Sequence, residues 1–167
     1  MSERVLVAGI GNVFFGDDGF GVEVARRLGA EPQPDGVVVA DYGIRGLHLA
    51  YRLLEPLDLL VAVDAAPRGG APGTLYVIEP DVTVEPDDAP TDAHGMCLPA
   101  VLASARMMGG ALPRVVVVGC EPAEIVERIG LSPTVGAAVE PALELVRAIA
   151  YRELTTAAAE VAREAVP

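Results

Sequence analysis

The sequence predicts an α/β protein: a three-layer sandwich in which a twisted, mainly parallel sheet of about five strands lies between helices. Near-continuous apolar runs alternate along the chain with segments of helical spacing, a pattern typical of strands that are buried on both faces. A glycine-rich turn at residues 9–21 leads directly from the first apolar run into the first helix. The chain has 167 residues, of which 51% are hydrophobic, enough for one domain with a sizeable core.

The first half of the chain contains two predicted strands and two predicted helices. Residues 4–9 predict a buried strand, since the residues after Arg4 are apolar. Residues 19–28 place apolar side chains at helical spacing and predict the first helix. The β-branched segment 37–40 predicts a short strand that ends at Asp41, and residues 47–54 predict a short helix.

The middle of the chain continues the alternation with two further strands. Residues 57–63 are strongly apolar and predict a strand that ends at Asp64. An Ala-Pro-Gly turn at 71–73 introduces another strand at 74–78. The acidic, proline-containing segment 79–92 predicts a loop.

The remaining part of the chain predicts two helical regions around a central strand. Residues 96–108 predict a helix, and the four consecutive valines within 114–119 predict a strand at the centre of the sheet. From 132 to about 164 the pattern is mostly helical, and Pro141 is expected to break or kink it. No linker divides the chain, so residues 1–167 are expected to form a single domain whose tail frays beyond about 155.

Composition excludes several classes of function. The formal net charge is −12, so nucleic acids and anionic membranes, which are polyanions, are not expected partners. No apolar run approaches the roughly 20 residues of a membrane span, and no secretory signal pattern is visible. The two cysteines, Cys97 and Cys120, do not make a disulfide scaffold. We therefore expect a cytoplasmic protein.

Polar side chains follow several of the predicted strands. Asn12, Asp17 and Asp18 come after the first strand, Asp41 after the second and Asp64 after the third. Because ligands bind outside the carboxyl ends of the strands in an open α/β sheet, we expect these residues at one edge. The two adjacent carboxylates would repel a phosphate and attract a cation, which moves the interpretation from nucleotide binding to metal binding.

Each of these carboxylates also has a structural interpretation. Asp17 is expected to act as the N-cap of the first helix. Asp18 fits equally well as a first-turn acid that interacts with the helix dipole and as a site residue. Asp64 must be solvated, paired or coordinated, since burying an unpaired carboxylate is costly, and it fits both a strand-end role and a site role.

The histidines and cysteines supply further candidate ligands. His94 lies at or near the start of a helix, where an uncharged imidazole can bind a borderline metal, although a lone histidine is more often structural or exposed. Cys97 lies three residues later on the same helical face and is expected to be a core residue rather than a soft ligand. His48 is expected on a helix surface and Cys120 at the end of a core strand.

A dinucleotide-binding interpretation does not fit the glycine-rich turn. The Gly-x-Gly-x-x-Gly fingerprint requires glycine at the position of Phe14. The acid expected about 20 residues further along is matched only by the more distant Asp41. We therefore expect no nucleotide cofactor.

An ordered set of segments between roughly residues 4 and 150 is shared with a known family. They are residues 9–12 with 16–21, 41–46, 63–65 with 71–74, 94–98, and 130–135 with 140–143. In these segments the chain resembles the hydrogenase maturation endopeptidases, proteases that act on the large subunit of nickel–iron hydrogenases. The resemblance implies a twisted, mainly parallel sheet between helices and endopeptidase activity.

The resemblance also implies roles for individual residues. It places Asp18, Asp64 and His94 in a cluster that contacts a metal and carries the catalytic function, with Asp41 as a further acid near the site. The implied metal is nickel supplied by the substrate, the implied partner is the precursor of a hydrogenase large subunit, and the implied state is a monomer. After nickel insertion the protease removes a C-terminal extension. Two carboxylates and an imidazole suit a divalent first-row metal, and a carboxylate can act as general base on water.

Some residues depart from the family pattern and leave alternatives open. Ile44 replaces a hydroxyl residue of the second loop, Arg45 is large for its place, and Asp18 is shorter than the Glu of many members. An alternative interpretation is a non-proteolytic nickel-binding factor for hydrogenase assembly that uses the same ligands. A nucleotide-binding α/β module is a further alternative.

Overall fold

A five-stranded β-sheet forms the middle layer of the protein, with helices packed on both of its faces. The computed structural model describes residues 3–83 and 97–164, with side chains described through residue 159. The strands are β1 (Val5–Ile10), β2 (Val37–Gly43), β3 (Leu59–Ala65), β4 (Leu75–Ile78) and β5 (Arg114–Cys120). The helices are α1 (Phe20–Gly29), α2 (Gly46–Arg52), α3 (Leu98–Met107) and α4 (Pro133–Glu164). The predicted three-layer α/β fold is confirmed.

The sheet is mainly parallel and has the strand order β2-β1-β3-β5-β4. Strand β1 pairs in parallel with β2 and β3, and β3 pairs in parallel with β5, whereas the edge strand β4 runs antiparallel to β5. Gly9 of β1 lies level with Asp41 of β2 and Val63 of β3. The carboxyl ends of four strands therefore meet at one edge, hereafter the carboxyl edge.

Each face of the sheet is covered by a pair of helices. On one face, the valines of β1, β3 and β5 pack with α1 and α4 around the fully buried Phe20. On the other face, Leu6 and Leu60 pack with α2 and α3. Since both faces are buried, the strands require the near-continuous apolar runs seen in the sequence.

Two strands are longer at their carboxyl ends than predicted. Asp41 lies inside β2 and Asp64 inside β3, rather than directly after these strands. Pairing explains the extension of β3, because Asp64 lies opposite Gly119 and Ala65 opposite Cys120 in the neighbouring strand. Both carboxylates still lie at the carboxyl edge.

Helix α4 continues through Pro141 and is not broken there. Proline removes one backbone hydrogen bond and typically costs about 3 kcal/mol inside a helix. Val139, Ala142 and Leu143 around it are buried in the core, so tertiary packing holds the helix together across this position. Among the helices of the described part of the chain, α4 included, none combines the length and the apolar character that crossing a membrane requires.

Candidate active site at the carboxyl edge

Two loops at the carboxyl edge are joined by backbone hydrogen bonds. The loop after β1 leads into a 3-10 turn at Gly16–Gly19, and the second loop follows β5. The N–H of Gly16 donates to the carbonyl of Arg128 at 2.7 Å, and the N–H of Arg128 donates to the carbonyl of Phe14 at 2.9 Å. The turn that carries Asp17 and Asp18 is thereby fixed from both sides.

Close approach of glycine residues sets the position of this turn against the sheet. A Cβ on Gly21, in the first turn of α1, would lie 1.9 Å from the carbonyl oxygen of Val63 and 2.4 Å from that of Ile10. A Cβ on Gly9 would lie 2.4 Å from the carbonyl oxygen of Gly21. Only glycine allows α1 to begin this close to the ends of β1 and β3, which brings the acidic turn next to β3.

Gly11 lies between Asp18 and Asp64. Its φ of +133° is a conformation that favours glycine, and a Cβ there would lie 1.9 Å from the Asp18 carbonyl oxygen. The same Cβ position is 3.7 Å from Oδ1 of Asp64. The structure thus brings the backbone of Asp18 and the carboxylate of Asp64 close to one glycine.

Asp18 and Asp64 are both partly buried, and ionising both carboxyl groups places two like charges close together. Oδ2 of Asp18 accepts a hydrogen bond from the Asn12 N–H at 2.9 Å. Burial, and after it the charge of Asp18, raise the pKa of Asp64, whereas a hydrogen bond from the N–H of Ala65 acts to lower it; the net result is a pKa of about 8. A cation between the two carboxylates would relieve this repulsion.

The prediction that Asp17 caps the first helix is wrong. Among the described residues, no side-chain hydrogen bond caps α1 or the preceding turn. Instead the carboxylate of Asp17 is fully buried and accepts hydrogen bonds from the N–H groups of Ala123 (2.9 Å), Glu124 (3.0 Å) and Ser132 (2.7 Å), and from Oγ of Ser132 (2.9 Å). Burial acts to raise the pKa of Asp17, but these hydrogen bonds outweigh it and the pKa is lowered.

Asp41 reaches the same edge from the other side of β1. Its Oδ1 is buried and has no hydrogen-bond donor among the described residues. A Cβ on Gly43 would lie 3.4 Å from this oxygen and 3.7 Å from the carbonyl oxygen of Gly11. The guanidinium of Arg45, the residue before α2, folds back to donate to the carbonyls of Asp41 and Tyr42, so this large side chain lies against the end of β2.

His94 lies outside the described residues. Helix α3 ends at Met107, and β5 starts soon afterwards at Arg114, at the edge of the sheet opposite the carboxyl edge. The helix packs alongside α2. Its N-cap residue, Cys97, therefore lies toward the carboxyl edge. Within the described ranges, no three side chains of His, Cys, Asp and Glu converge as a metal site. Of the three predicted ligands, Asp18 and Asp64 lie among the described residues.

The other histidine and the cysteines are placed as follows. His48 is exposed on α2, as predicted. Cys120 is buried at the end of β5, where burial and the charges of Asp17 and Glu121 raise the pKa of its thiol to about 11, so it is unreactive as a nucleophile. Cys97 is a free, partly buried cysteine rather than a fully buried core residue.

Sequence reasoning missed Glu121, a second buried carboxylate that anchors a loop. It is 6% exposed and accepts hydrogen bonds from the N–H of Arg68 (2.8 Å), the N–H of Gly69 (3.2 Å) and the hydroxyl of Tyr76 (2.9 Å). It thereby holds the loop after β3, next to Asp64, against β5. A charged residue directly after the apolar run of β5 was the available signal.

Comparison with known proteins decides the family. The model of the hydrogenase maturation protease family HycI matches residues 22–149. This chain belongs to the hydrogenase maturation protease family. The match covers the positions of Asp64 and His94 and begins just after Asp18.

Relatives in this family match nearly the whole chain. The hydrogenase expression/formation protein HupD of Rhodobacter capsulatus is 36% identical over 98% of this chain and 77% of its own length. The hydrogenase 2 maturation protease of Escherichia coli K12 is 32% identical, and the match covers 98% of each chain. The solved structure of the hydrogenase maturating endopeptidase HybD from E. coli superimposes with a TM-score of 0.75 at 31% identity, over 89% of this chain and 93% of the other. The protein is therefore a hydrolase of the hydrogenase maturation protease class.

Proposed function

We propose that this protease removes the C-terminal extension of a nickel–iron hydrogenase large-subunit precursor after nickel has been inserted. We propose further that Asp18, Asp64 and His94 recognise the nickel carried by the substrate. The observation that carries the proposal is the carboxylate pair: Asp18 and Asp64 lie at the carboxyl edge, close enough for the charge of Asp18 to raise the pKa of Asp64, in a chain that belongs to this protease family.

The chemistry of the pair supports a divalent cation as its target. Two like charges in a partly buried setting repel each other, and the raised pKa of Asp64 is the measure of that repulsion and of burial. A dipositive ion with open coordination positions offsets both the repulsion and the cost of burying the charge, because carboxylate oxygens coordinate it. Imidazole is a suitable third ligand for nickel, which accepts nitrogen and oxygen donors.

The position of α3 supports His94 as that third ligand. His94 lies three residues before Cys97 in the chain, and Cys97 lies toward the same edge as Asp64. Residues 94–98, which include His94, also resemble the histidine-bearing helix start of the family.

The hydrolytic step follows from the same groups. A water molecule attacks the scissile carbonyl carbon, and a carboxylate oxygen of the pair that does not coordinate the nickel accepts its proton. The tetrahedral intermediate then collapses, the C–N bond breaks, and the proton passes to the departing amine. Binding of the nickel centre by the other ligands positions the peptide bond for this attack.

A processing assay tests this function. The purified protein is mixed with the nickel-loaded cognate precursor, and the mass of the large subunit is followed. Loss of a single C-terminal peptide supports the proposal. An unchanged mass, together with tight binding of the precursor, would support a non-proteolytic assembly factor instead.

A further inference from the structure

A second concave surface adjoins the turn that carries Asp18. This cleft has a volume of about 370 Å³ and lies between the Gly16–Gly19 turn, α1, and the segment around Ile129 that precedes α4. Neither Asp18 nor Asp64 lines it. The cleft is thus separate from the carboxylate pair but begins next to it.

The cleft and the candidate active site share one turn of backbone. Gly19 lines the cleft and directly follows Asp18 in the chain, so their Cα atoms are about 3.8 Å apart. An extended peptide advances about 3.3 Å per residue. A peptide whose scissile bond lies at Asp18 therefore reaches the cleft with its next few residues.

A glycine on α4 keeps the cleft open. Gly136 lines the cleft, and a Cβ built on it would meet nothing within 4 Å. Packing among the described residues therefore does not require glycine at this position. Glycine inside a helix is nevertheless disfavoured by roughly 0.5–1 kcal/mol relative to alanine. Its lack of a side chain leaves room for a ligand beside the apolar residues Val13 and Ile129, which are 38% and 76% exposed.

One end of the cleft has an excess of positive charge. Arg26 and Arg27 both line it, and both bind the single carboxylate of Glu23, at 3.1 and 2.7 Å. The two arginine side chains are 67% and 50% exposed. Exposed ion pairs contribute little stability, so a guanidinium is free to bind another carboxylate. This excess stands out on a chain with a net charge of −12.

We propose that the cleft binds the C-terminal extension of the precursor as an extended peptide. Apolar side chains of the extension lie against Val13 and Ile129, and a carboxylate of the extension binds Arg26 or Arg27. The carboxylate is an acidic side chain or the chain terminus. This inference rests on the proposed function, since it assigns the extension to a surface beside the proposed cleavage site.

Peptide binding tests the cleft independently of cleavage. The probe is a fluorescently labelled synthetic peptide with the sequence of the precursor's extension, titrated with the full-length protein. We expect Gly136→Leu to weaken its binding about tenfold or more, equivalent to about 1.4 kcal/mol. Ala137→Leu places the same side chain on an exposed neighbouring position of α4 and should bind like wild type.

A charge variant tests the carboxylate contact. Arg27→Gln removes the excess charge and leaves Arg26 paired with Glu23, and we expect it to weaken peptide binding about three- to tenfold. Arg152→Gln, at an exposed position of α4, removes the same charge away from the cleft and serves as the control. A peptide with an amidated C-terminus separates the two sources of the carboxylate. If wild-type protein binds the amidated peptide as weakly as Arg27→Gln binds the unmodified peptide, the contact is made by the terminal carboxylate. If amidation leaves binding to wild type unchanged, the contact is made by an acidic side chain.

The results separate failure of the cleft from failure of the proposed function. A peptide that shows no saturable binding, or that binds Gly136→Leu as tightly as wild type, overturns the cleft proposal whether or not the precursor is cleaved. In the processing assay, Gly136→Leu should raise KM with little change in kcat. Absence of cleavage by wild type, in contrast, counts against the proposed function.

Discussion

Burial raises the pKa of Asp64 and the charge of Asp18 adds to that effect, although the two residues lie on different elements of the fold. Asp18 belongs to the turn before α1, and Asp64 belongs to β3. Gly11 and Gly21 allow them to come together. A side chain on Gly11 would collide with the carbonyl of Asp18, and a side chain on Gly21 would collide with the carbonyl of Val63 in β3. The glycine-rich segment therefore acts through backbone packing, and the carboxylates act through charge.

The raised pKa of Asp64 predicts a specific pH dependence of stability. The folded protein holds a proton on Asp64 up to about pH 8, whereas the unfolded chain releases it near 3.8. Between these values the folded state binds more protons, so the free energy of unfolding falls as pH rises. Asp64→Asn cannot titrate and so does not lose stability in this way. Between pH 4 and pH 8.5 we expect the free energy of unfolding of wild type to fall by at least about 1 kcal/mol more than that of Asp64→Asn. Urea denaturation at the two pH values measures the difference; an equal change in both proteins would contradict the raised pKa.

Loss of any proposed nickel contact should abolish processing. Asp18→Asn, Asp64→Asn and His94→Ala each remove one ligand, and we expect a fall in kcat/KM of at least about 100-fold, since no remaining group replaces the lost donor. Circular dichroism should show that the variants keep their fold. Matched controls are Asp35→Asn and His48→Ala, which change the same residue types at exposed positions and should process normally. Normal processing by all three ligand variants would rule out the cluster.

Asp17 should matter for stability rather than for chemistry. Asp17→Ala leaves the N–H groups of Ala123, Glu124 and Ser132 without their acceptor, and we expect a loss of about 3–5 kcal/mol in the free energy of unfolding. Ser132→Ala removes only the hydroxyl contact and should cost about 1 kcal/mol. Chemical denaturation of both variants checks the ranking. A Ser132→Ala variant as unstable as Asp17→Ala would contradict it.

Two glycines in helices should respond in opposite ways to alanine. Gly21→Ala forces a Cβ against the carbonyls of Val63 and Ile10, and we expect it to destabilise the protein by at least about 1–3 kcal/mol. Gly136→Ala meets open space and should stabilise α4 by about 0.5–1 kcal/mol. Thermal melting of the two variants compares them directly, and a destabilised Gly136→Ala would show that this position is constrained after all.

The sequence was sufficient to predict the layers of the fold because both faces of the sheet are buried. A continuous apolar run such as 59–63 predicts a buried strand from its own sequence, without knowledge of the strands that pair with it. The carboxyl edge was predictable for the same reason, since parallel strands end together and place Asp41 and Asp64 there. The predicted carboxyl ends of β2 and β3 were too early in the chain, because pairing with neighbouring strands extends each strand past its apolar run.

The role of Asp17 was not predictable from its neighbours in sequence. Its partners Ala123 and Ser132 lie 106 and 115 residues away along the chain. An acid before a helix has a local explanation as a cap, and nothing nearby contradicts it. Glu121 was missed for a similar reason, since its partners Arg68 and Tyr76 belong to a different loop and strand.

Processing of the same precursor with and without nickel decides whether the carboxylate pair recognises the substrate's metal. Wild-type protein is incubated with nickel-loaded and nickel-free large subunit, and intact mass is followed over time. We predict release of the C-terminal peptide from the nickel-loaded form only, and no release from either form by Asp64→Asn. Equal cleavage of both forms by wild type would contradict the claim that the carboxylate pair recognises the substrate's nickel.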